Sequence, residues 1–313
     1  MVVVVEERAV DSAERSVVQR IRRWYRPSNL LLLAGLICAC VFWPSRKNWL
    51  PDLTHRPDYF LPVEQIRVTQ PPRWVPKDLL QQVLKRGQFP AELPLLDPDL
   101  AQKLALEFAS HPWVATVQQV RIEGGRSIVV DLVYRRPVAM VQSAGGVYPI
   151  DAQGILLPTE DFAPAEVQQY PRIEGVRSLP DTAPGGLWKD ELVQSAAALA
   201  DVLGATWQSM ELEAIECPVG QDPSRDASES QAFALRSHGS RILWGAPPGA
   251  KVAGELSTEQ KLGRLERYLK DFGSFHKPAG PYLIDIRHWR EISRKPLAAA
   301  SRSPAFHRAT RMR

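Results

Sequence analysis

One set of residues in the sequence could act as a hydrolytic triad. Ser237 and His238 are adjacent, and Asp201 or Asp285 could orient the imidazole so that it activates a hydroxyl. No G-x-S-x-G motif is present to hold a serine on the strained turn that such hydrolases use. His238 is instead predicted to lie in a solvated hairpin turn. An exported hydrolase that uses His238 or His288 is therefore the least favoured alternative, and we predict that the protein is not an enzyme.

Metal and redox chemistry have little support from residue spacing. The six histidines show neither H-x₃-H nor H-E-x-x-H spacing. Cys38 and Cys40 lie in an apolar run, and Cys217 is alone in the rest of the chain, where a buried apolar role is favoured over that of a nucleophile. Asp151, three residues before Gly154, is predicted to form a turn rather than to transfer protons. We therefore predict no metal, no cofactor and no small-molecule substrate.

The charge distribution argues against a nucleic-acid partner. The 313 residues carry 39 basic and 35 acidic side chains, a net charge of +4. Residues 1–50 hold eight basic and four acidic side chains, and residues 291–313 hold six and one, which leaves residues 51–290 at −5. The basic isoelectric point of about 9.0 thus comes from the two ends of the chain. A basic folded surface for nucleic acid is not expected.

An uncharged run near the N-terminus predicts a membrane helix over residues 29–44. Leu30 to Trp43 reads LLLLAGLICACVFW, which spans about 21 Å as a helix against the ~30 Å core of a bilayer. Five arginines between residues 15 and 26 precede the run, so the positive-inside rule puts residues 1–28 in the cytoplasm and the rest outside. A cleaved signal peptide is the main alternative. Proline-rich residues 45–62 are predicted to be a linker.

Periodicity after the linker predicts a small α+β domain over residues 63–138. Alternating apolar residues indicate a strand near 63–69, and helical spacing indicates helices near 77–86 and 97–110. Two further alternating segments flank Gly124-Gly125 and predict a hairpin from 113 to 134. The order is strand, helix, helix, strand, strand. A three-stranded sheet with two helices on one face is expected.

A second, β-rich domain with flanking helices is predicted over residues 139–290. Helical patterns occupy residues 187–203 and 259–272, and a hairpin is predicted from 232–236 and 241–244. Polar residues 221–231 indicate a mobile loop. A final strand is predicted at 282–287. Residues 291–313 are predicted to be a basic, disordered tail.

Four segments in this order resemble the FtsQ/DivIB family of bacterial cell-division proteins. HPWV at 111–114 and YRRPVAM at 134–140 are similar to motifs of the family's POTRA domain, and VYPIDAQGILLP at 147–158 and YPRIEG at 170–175 to motifs of the β-rich domain that follows. The resemblance implies a bitopic protein of the cell inner membrane at the division site, with a POTRA domain and an FtsQ-type β domain outside the cytoplasm. It implies a binding scaffold, with a POTRA-type translocation or assembly factor as the alternative.

The same resemblance implies a partner-binding strand near the C-terminus. YLIDIRHW at 282–289 is similar to the family's terminal strand, which pairs with FtsB/FtsL-like partners by adding a strand to the sheet edge. Arg287 is expected to pair with partner carboxylates, and Trp289 to act as an aromatic anchor. A second, lesser surface is the POTRA edge near Glu64 to Thr69. The predicted partner-binding residues are Tyr282, Ile284, Asp285, Ile286, Arg287, His288 and Trp289.

Overall fold

The computed structural model describes residues 31, 34–38, 56–124, 127–218, 220 and 227–297. From Leu61 onward the described residues belong to one compact unit. Their fold is α+β, as the sequence predicted, with sheets of two, three and eight strands. Residues 1–28, most of the linker and residues 298–313 lie outside the described residues.

The spanning helix predicted over residues 29–44 requires correction. Among the residues that the structure describes, no helix is both long and apolar enough to cross a membrane. Only Leu31 and residues 34–38 of the predicted helix are described. The uncharged run has fourteen residues, and at 1.5 Å per residue it reaches only about 21 Å, short of the ~30 Å of a hydrocarbon core.

The first half of the unit contains the two small sheets. β1 and β3 pair with each other, while β2, β5 and β4 form a three-stranded sheet in that order. β2 runs parallel to β5 because helices carry the chain between them, and the hairpin strands β4 and β5 are antiparallel. The elements are β1 (Phe60–Pro62), β2 (Ile66–Val68), α1 (Leu79–Arg86), β3 (Glu92–Pro94), α2 (Leu100–Ala109), β4 (Val114–Glu123) and β5 (Ser127–Tyr134).

Helix α2 contributes one face to the core of this half. Leu100, Leu104 and Phe108 recur every fourth residue and are at most 2% exposed, so they form one apolar stripe. Ile128 and Val130 alternate inward along β5 and join the same cluster. Burial of each such side chain stabilises the fold by about 1.5–3 kcal/mol.

The HPWV segment is part of this core. Trp113 is fully buried, and its indole N–H donates to an Asp161 carboxylate oxygen at 2.7 Å. His111 accepts the Trp113 backbone N–H at Nδ1, and its Nε2 lies 3.1 Å from the Gln82 side-chain oxygen. Burial lowers the pKa of His111 to about 4, so the imidazole is neutral at physiological pH. The segment joins α2 to β4 through packing and hydrogen bonds.

An eight-stranded mixed sheet forms the second half. Its order is β13-β12-β11-β10-β9-β8-β6-β7. The elements are β6 (Pro137–Ser143), β7 (Gly146–Asp151), α3 (Pro164–Val167), β8 (Arg172–Glu174), α4 (Glu191–Leu203), β9 (Ala214–Glu216), α5 (Ala227–Ser230), β10 (Phe233–Ser237), β11 (Ser240–Gly245), α6 (Thr258–Phe272), β12 (Tyr282–Asp285) and β13 (Ser293–Pro296).

Two helices provide the crossovers for two of the three parallel strand pairs in this sheet. α4 connects β8 to β9 and α6 connects β11 to β12, and both strand pairs are parallel. The Asp190 carboxylate caps α4 by accepting the Leu192 N–H at 2.8 Å. A capping box of Ser257 and Gln260 begins α6, and Gly273, at φ 78°, ends it.

Candidate partner-binding site

Strand β12, which carries the predicted partner-binding residues, is not at the edge of the sheet. It pairs in parallel with β11 on one side and antiparallel with β13 on the other. The prediction of 282–287 as the final strand is therefore wrong, and Ser293–Pro296 is ordered inside the segment predicted to be a disordered tail. The sequence SRKP has no alternating apolar residues, so no pattern indicated this strand.

The apolar members of the predicted site lie in the core. Tyr282 is 6% exposed, and Ile284 and Ile286 are fully buried. All three belong to the large hydrophobic cluster of the eight-stranded sheet. They can support a binding surface, but their side chains are not available to a partner in this structure.

Arg287 and Asp285 form an ion pair within the chain. The guanidinium donates two hydrogen bonds to the carboxylate, at 2.7 and 3.0 Å, and a third to the Ser228 carbonyl oxygen at 2.8 Å. Each side chain is only 13% exposed. Arg287 therefore anchors the residues after β12, and three of its N–H groups are already in use.

The ion pair shifts the titration of both groups. Burial alone would raise the pKa of Asp285, but the hydrogen bonds from the Arg287 side chain and backbone hold it below its ordinary value. The Asp285 carboxylate in turn raises the pKa of Arg287. His288 lies on the exposed side, with Nε2 3.7 Å from Asp285 Oδ2.

This pair predicts a contribution to acid stability. Because the folded state binds a proton at Asp285 less readily than the unfolded state, the contribution is present above the unfolded value of about 3.9 and is lost as pH falls through the lower folded value. We expect Asp285→Asn to be less stable than the native chain at pH 7 and to lose less stability between about pH 5 and pH 2. Denaturant unfolding across this range measures both effects. Asp271→Asn, at an exposed site on α6, should keep the native pH dependence, and parallel curves for Asp285→Asn and the native chain would contradict the assignment.

The exposed part of the site is an aromatic and basic groove between α6 and the segment that leads to β13. Trp289 is 67% exposed. Arg264, on α6, donates to the carbonyl oxygens of Trp289 and Glu291 at 2.7 and 3.0 Å, which fixes the backbone beneath the ring. The groove has a volume of about 400 Å³ and is lined by Arg264, Arg267, Tyr268, Asp271, Phe272, Arg290, Glu291, Ile292 and Arg294.

Strand β13 closes this end of the sheet but is a poor template for another strand. The Leu297 N–H donates to the Pro281 carbonyl at 2.9 Å, so residues 297 and 281 are a hydrogen-bonded pair. In an antiparallel ladder, every second pair of facing residues is hydrogen-bonded. In the observed register, Ser293 and Lys295 therefore bond to β12, while Arg294 and Pro296 face outward. Proline has no N–H, so within β13 only Arg294 presents an outward donor.

Side-chain contacts hold β13 in place, although no sequence pattern predicts this strand. The Arg294 guanidinium lies 4.5 Å from the centre of the Phe272 ring and 4.7 Å from that of Tyr282, and such contacts contribute about 0.5–1 kcal/mol each at exposed sites. Arg264, Phe272 and Arg294 were not predicted to belong to the site. They come from α6 and from the supposed tail, and only the fold brings them together.

The lesser predicted surface lies on the three-stranded sheet. β2 (Ile66–Val68) is at one end of that sheet. Just after β2, the Thr69 N–H donates to the Val130 carbonyl of β5 at 3.1 Å and continues the pairing of the two strands. The predicted segment from Glu64 to Thr69 thus contains an edge strand, though only three residues long.

The residues of the hydrolase alternative are not assembled. Asp285 pairs with Arg287 and Asp201 with Arg136, so neither orients His238. Burial raises the pKa of the Cys217 thiol to about 12, which agrees with the predicted buried role. His238 lies in the exposed turn between β10 and β11, as predicted, but beside another histidine.

Asp151 has the turn-forming role that the sequence predicted. Its Oδ1 accepts the backbone N–H groups of Gln153 and Ile155, both at 2.9 Å. Its Oδ2 accepts a hydrogen bond from Arg135 at 2.9 Å. The carboxylate is 2% exposed and is fully used in structural contacts.

Comparison of the sequence with models of protein families and with curated proteins identifies no relative for this chain. The FtsQ/DivIB resemblance therefore stays a prediction that depends on the order and spacing of its motifs. The chain matches no model of a known protein family, and no curated protein sequence matches it at a significant level.

Proposed function

We propose that the protein is a scaffold of the bacterial cell-division machinery, of the FtsQ/DivIB type, that binds FtsB/FtsL-like partners at the β13 end of the eight-stranded sheet. One observation carries the choice of surface. Of the Trp and Phe side chains that the structure describes, only Trp289 and Phe272 are exposed. Phe272 lines this groove, and the Trp289 ring lies next to it, 5.2 Å from the guanidinium of the lining residue Arg290. Exposed aromatic anchors beside arginines are typical of binding hot spots.

The charges of the groove favour an acidic partner segment. Four arginines line it against two carboxylates. Arg264 and Arg294 contact backbone carbonyls and aromatic rings, and neither forms an ion pair with an acidic side chain among the described residues. A partner with aspartate or glutamate near an apolar residue would satisfy both the arginines and the Trp289 ring. Binding should weaken as salt increases.

Strand pairing at this site is proposed to replace β13. The outward edge of β13 offers a single N–H within the strand, whereas β12 already accepts an antiparallel neighbour along its whole length. All four β13 residues are exposed, so little apolar burial opposes its release. The partner would then pair with Tyr282–Asp285, the strand that the family resemblance implies.

Trp289→Ala tests the surface. We expect it to weaken capture of an immobilised FtsB/FtsL-like extracytoplasmic segment by about 30-fold or more, the effect of losing a hot-spot aromatic. The melting temperature should not change, because the Trp289 contact to Arg264 uses the backbone carbonyl. Leu106→Ala removes another exposed apolar side chain, 63% exposed on α2, and should bind like the native chain.

Lys295→Pro, in the same assay, tests the pairing mode. Proline removes the N–H that bonds β13 to β12, so replacement of β13 predicts stronger capture than in the native chain or in Lys295→Ala. Unchanged capture by Trp289→Ala, or failure of a fluorescent fusion to reach midcell, would contradict the proposed function. Weaker capture by Lys295→Pro would show that the partner extends β13 instead.

A further inference from the structure

Three potential metal ligands from distant parts of the sequence meet near the turn between β10 and β11. Glu211 follows α4, His238 lies in the turn itself, and His276 follows α6. One ligand atom from each residue can be chosen so that all three atoms lie within 4.8 Å of one another. The two imidazole rings are 4.8 Å apart, centre to centre, and His238 Nε2 lies 3.3 Å from Glu211 Oε2.

These distances are close to those of a zinc site. With Zn–N and Zn–O bonds of about 2.0–2.2 Å in a tetrahedron, neighbouring ligand atoms lie about 3.4 Å apart. The Glu211 to His238 separation, 3.3 Å, is close to this value, and the separations to the His276 ligand atom are at most 4.8 Å. Two histidines and one glutamate are a ligand set that zinc takes with a fourth position open to water.

A second carboxylate lies near the other ring nitrogen of His238, beyond hydrogen-bond distance in the metal-free chain. Glu213 Oε1 lies 3.8 Å from His238 Nδ1, on the ring nitrogen opposite the one that faces Glu211, and also accepts the His238 backbone N–H at 3.1 Å. Metal-bound histidines commonly direct their second ring nitrogen at a carboxylate. This arrangement assigns Nε2 to the metal. Glu213 itself is balanced by Arg236, 3.5 Å away.

The backbone holds the ligands in costly conformations. Glu211 and His238 have φ of 52° and 45°, and among the described residues only one other non-glycine residue, Gln88, has a positive φ. The Ser240 hydroxyl donates to the Phe275 carbonyl at 2.9 Å and accepts the Tyr282 N–H, which ties the His276 segment to the hairpin. His276 Nδ1 is buried without a hydrogen-bond partner among the described residues.

We propose that Glu211, His238 and His276 bind one zinc ion, with Glu213 as the hydrogen-bonding partner of His238 and water at the open position. Neither the proposed scaffold function nor the partner-binding groove requires this site. It lies on the sheet at the turn that joins β10 to β11, and it links segments that follow α4 and α6. Zinc bound there would cross-link the segments that follow both crossover helices to the hairpin.

Titration of the untagged full-length chain with Zn²⁺, after removal of bound metal by a chelator, tests the proposal. We expect one equivalent to bind and to raise the melting temperature, and Co²⁺ to give the visible absorption of a tetrahedral complex. His276→Ala should weaken zinc binding by about 100-fold or more, because loss of an outer partner alone costs 10–100-fold. Glu213→Gln should weaken it by about 10-fold.

His238→Asn separates ligand loss from misfolding. Asparagine is favoured in this type of turn, so the metal-free variant should be at least as stable as the native chain while it loses zinc binding. His288→Ala removes an exposed histidine next to the Asp285–Arg287 pair and should bind zinc normally. The proposal is overturned if the native chain binds no stoichiometric zinc, or if His238→Asn and His276→Ala both bind as tightly as the native chain.

Discussion

Replacement of Glu255 by alanine is expected to lower the free energy of unfolding by about 3–5 kcal/mol. Its partner, Lys261 on α6, is only 3% exposed, which is unusual for a lysine. The Lys261 ammonium donates to Glu255 Oε1 at 2.5 Å and to the Ala246 carbonyl at 3.3 Å, and it lies 5.2 Å from the centre of the buried Trp244 ring. Without Glu255, a positive charge would stay buried with one carbonyl and one aromatic face.

Urea unfolding of the variant measures this cost, with Glu266→Ala, at an exposed position of the same helix, as the control. Surface changes of that kind fall within about 0.5 kcal/mol. The double variant Glu255→Leu with Lys261→Met should recover much of the loss, since apolar residues of similar volume replace buried ion pairs well. A cost below about 1 kcal/mol for Glu255→Ala would show that the ammonium reaches water when its partner is removed.

The same ion pair explains why glycine ends β11. Gly245 has φ 91°, and a Cβ there would lie 2.0 Å from Glu255 Oε1. That oxygen also accepts the Ala246 backbone N–H at 2.7 Å, so the carboxylate cannot move aside without losing contacts. The glycine thus gives the Glu255 carboxylate room to reach the Lys261 ammonium.

Periodicity predicted the elements whose apolar residues face a single core. Leu100, Leu104 and Phe108 gave the stripe of α2, and the alternation around Ile128 gave β5, because each pattern reflects local geometry directly. The prediction of a membrane helix is wrong because the fourteen-residue run has the apolar composition of a spanning segment but not its length. The burial of Lys261 could not be predicted from the sequence. A lysine inside an amphipathic helix is predicted to face water, and only the fold places Glu255 beside it.

The parts of the candidate site that lie within one strand were predictable from the spacing of neighbouring residues. Ile284 and Ile286 alternate and are buried, and Asp285 and Arg287 are two residues apart along an extended segment, the spacing that puts side chains on one face. The pairing of β13 with β12 was not predictable, because the β13 sequence SRKP has no apolar alternation. The contacts of β13 are cation–π and backbone contacts, which leave no hydrophobic pattern.

Replacement of Asp151 by alanine should cost a comparable 3–5 kcal/mol, because Asp151 joins the two halves of the unit. Its Oδ2 pairs with Arg135, in the link between β5 and β6, and the two side chains are 3% and 14% exposed. The Arg135 backbone also donates to the Trp113 carbonyl at 2.8 Å and accepts the Trp74 indole N–H at 3.0 Å. Loss of the carboxylate would leave a buried guanidinium, whose Nε already has no partner among the described residues.

Asp131→Ala is the matched control, because Asp131 forms a 3.0 Å pair with Arg121 on the exposed face of the β4–β5 hairpin. Exposed pairs contribute less than about 1 kcal/mol, so the difference between the two variants isolates burial. Asp151→Asn keeps an oxygen for the Gln153 and Ile155 N–H groups but loses the charge, and we expect an intermediate stability. If Asp151→Asn unfolds at the same denaturant concentration as the native chain, the turn accounts for the whole effect and the buried ion pair contributes nothing.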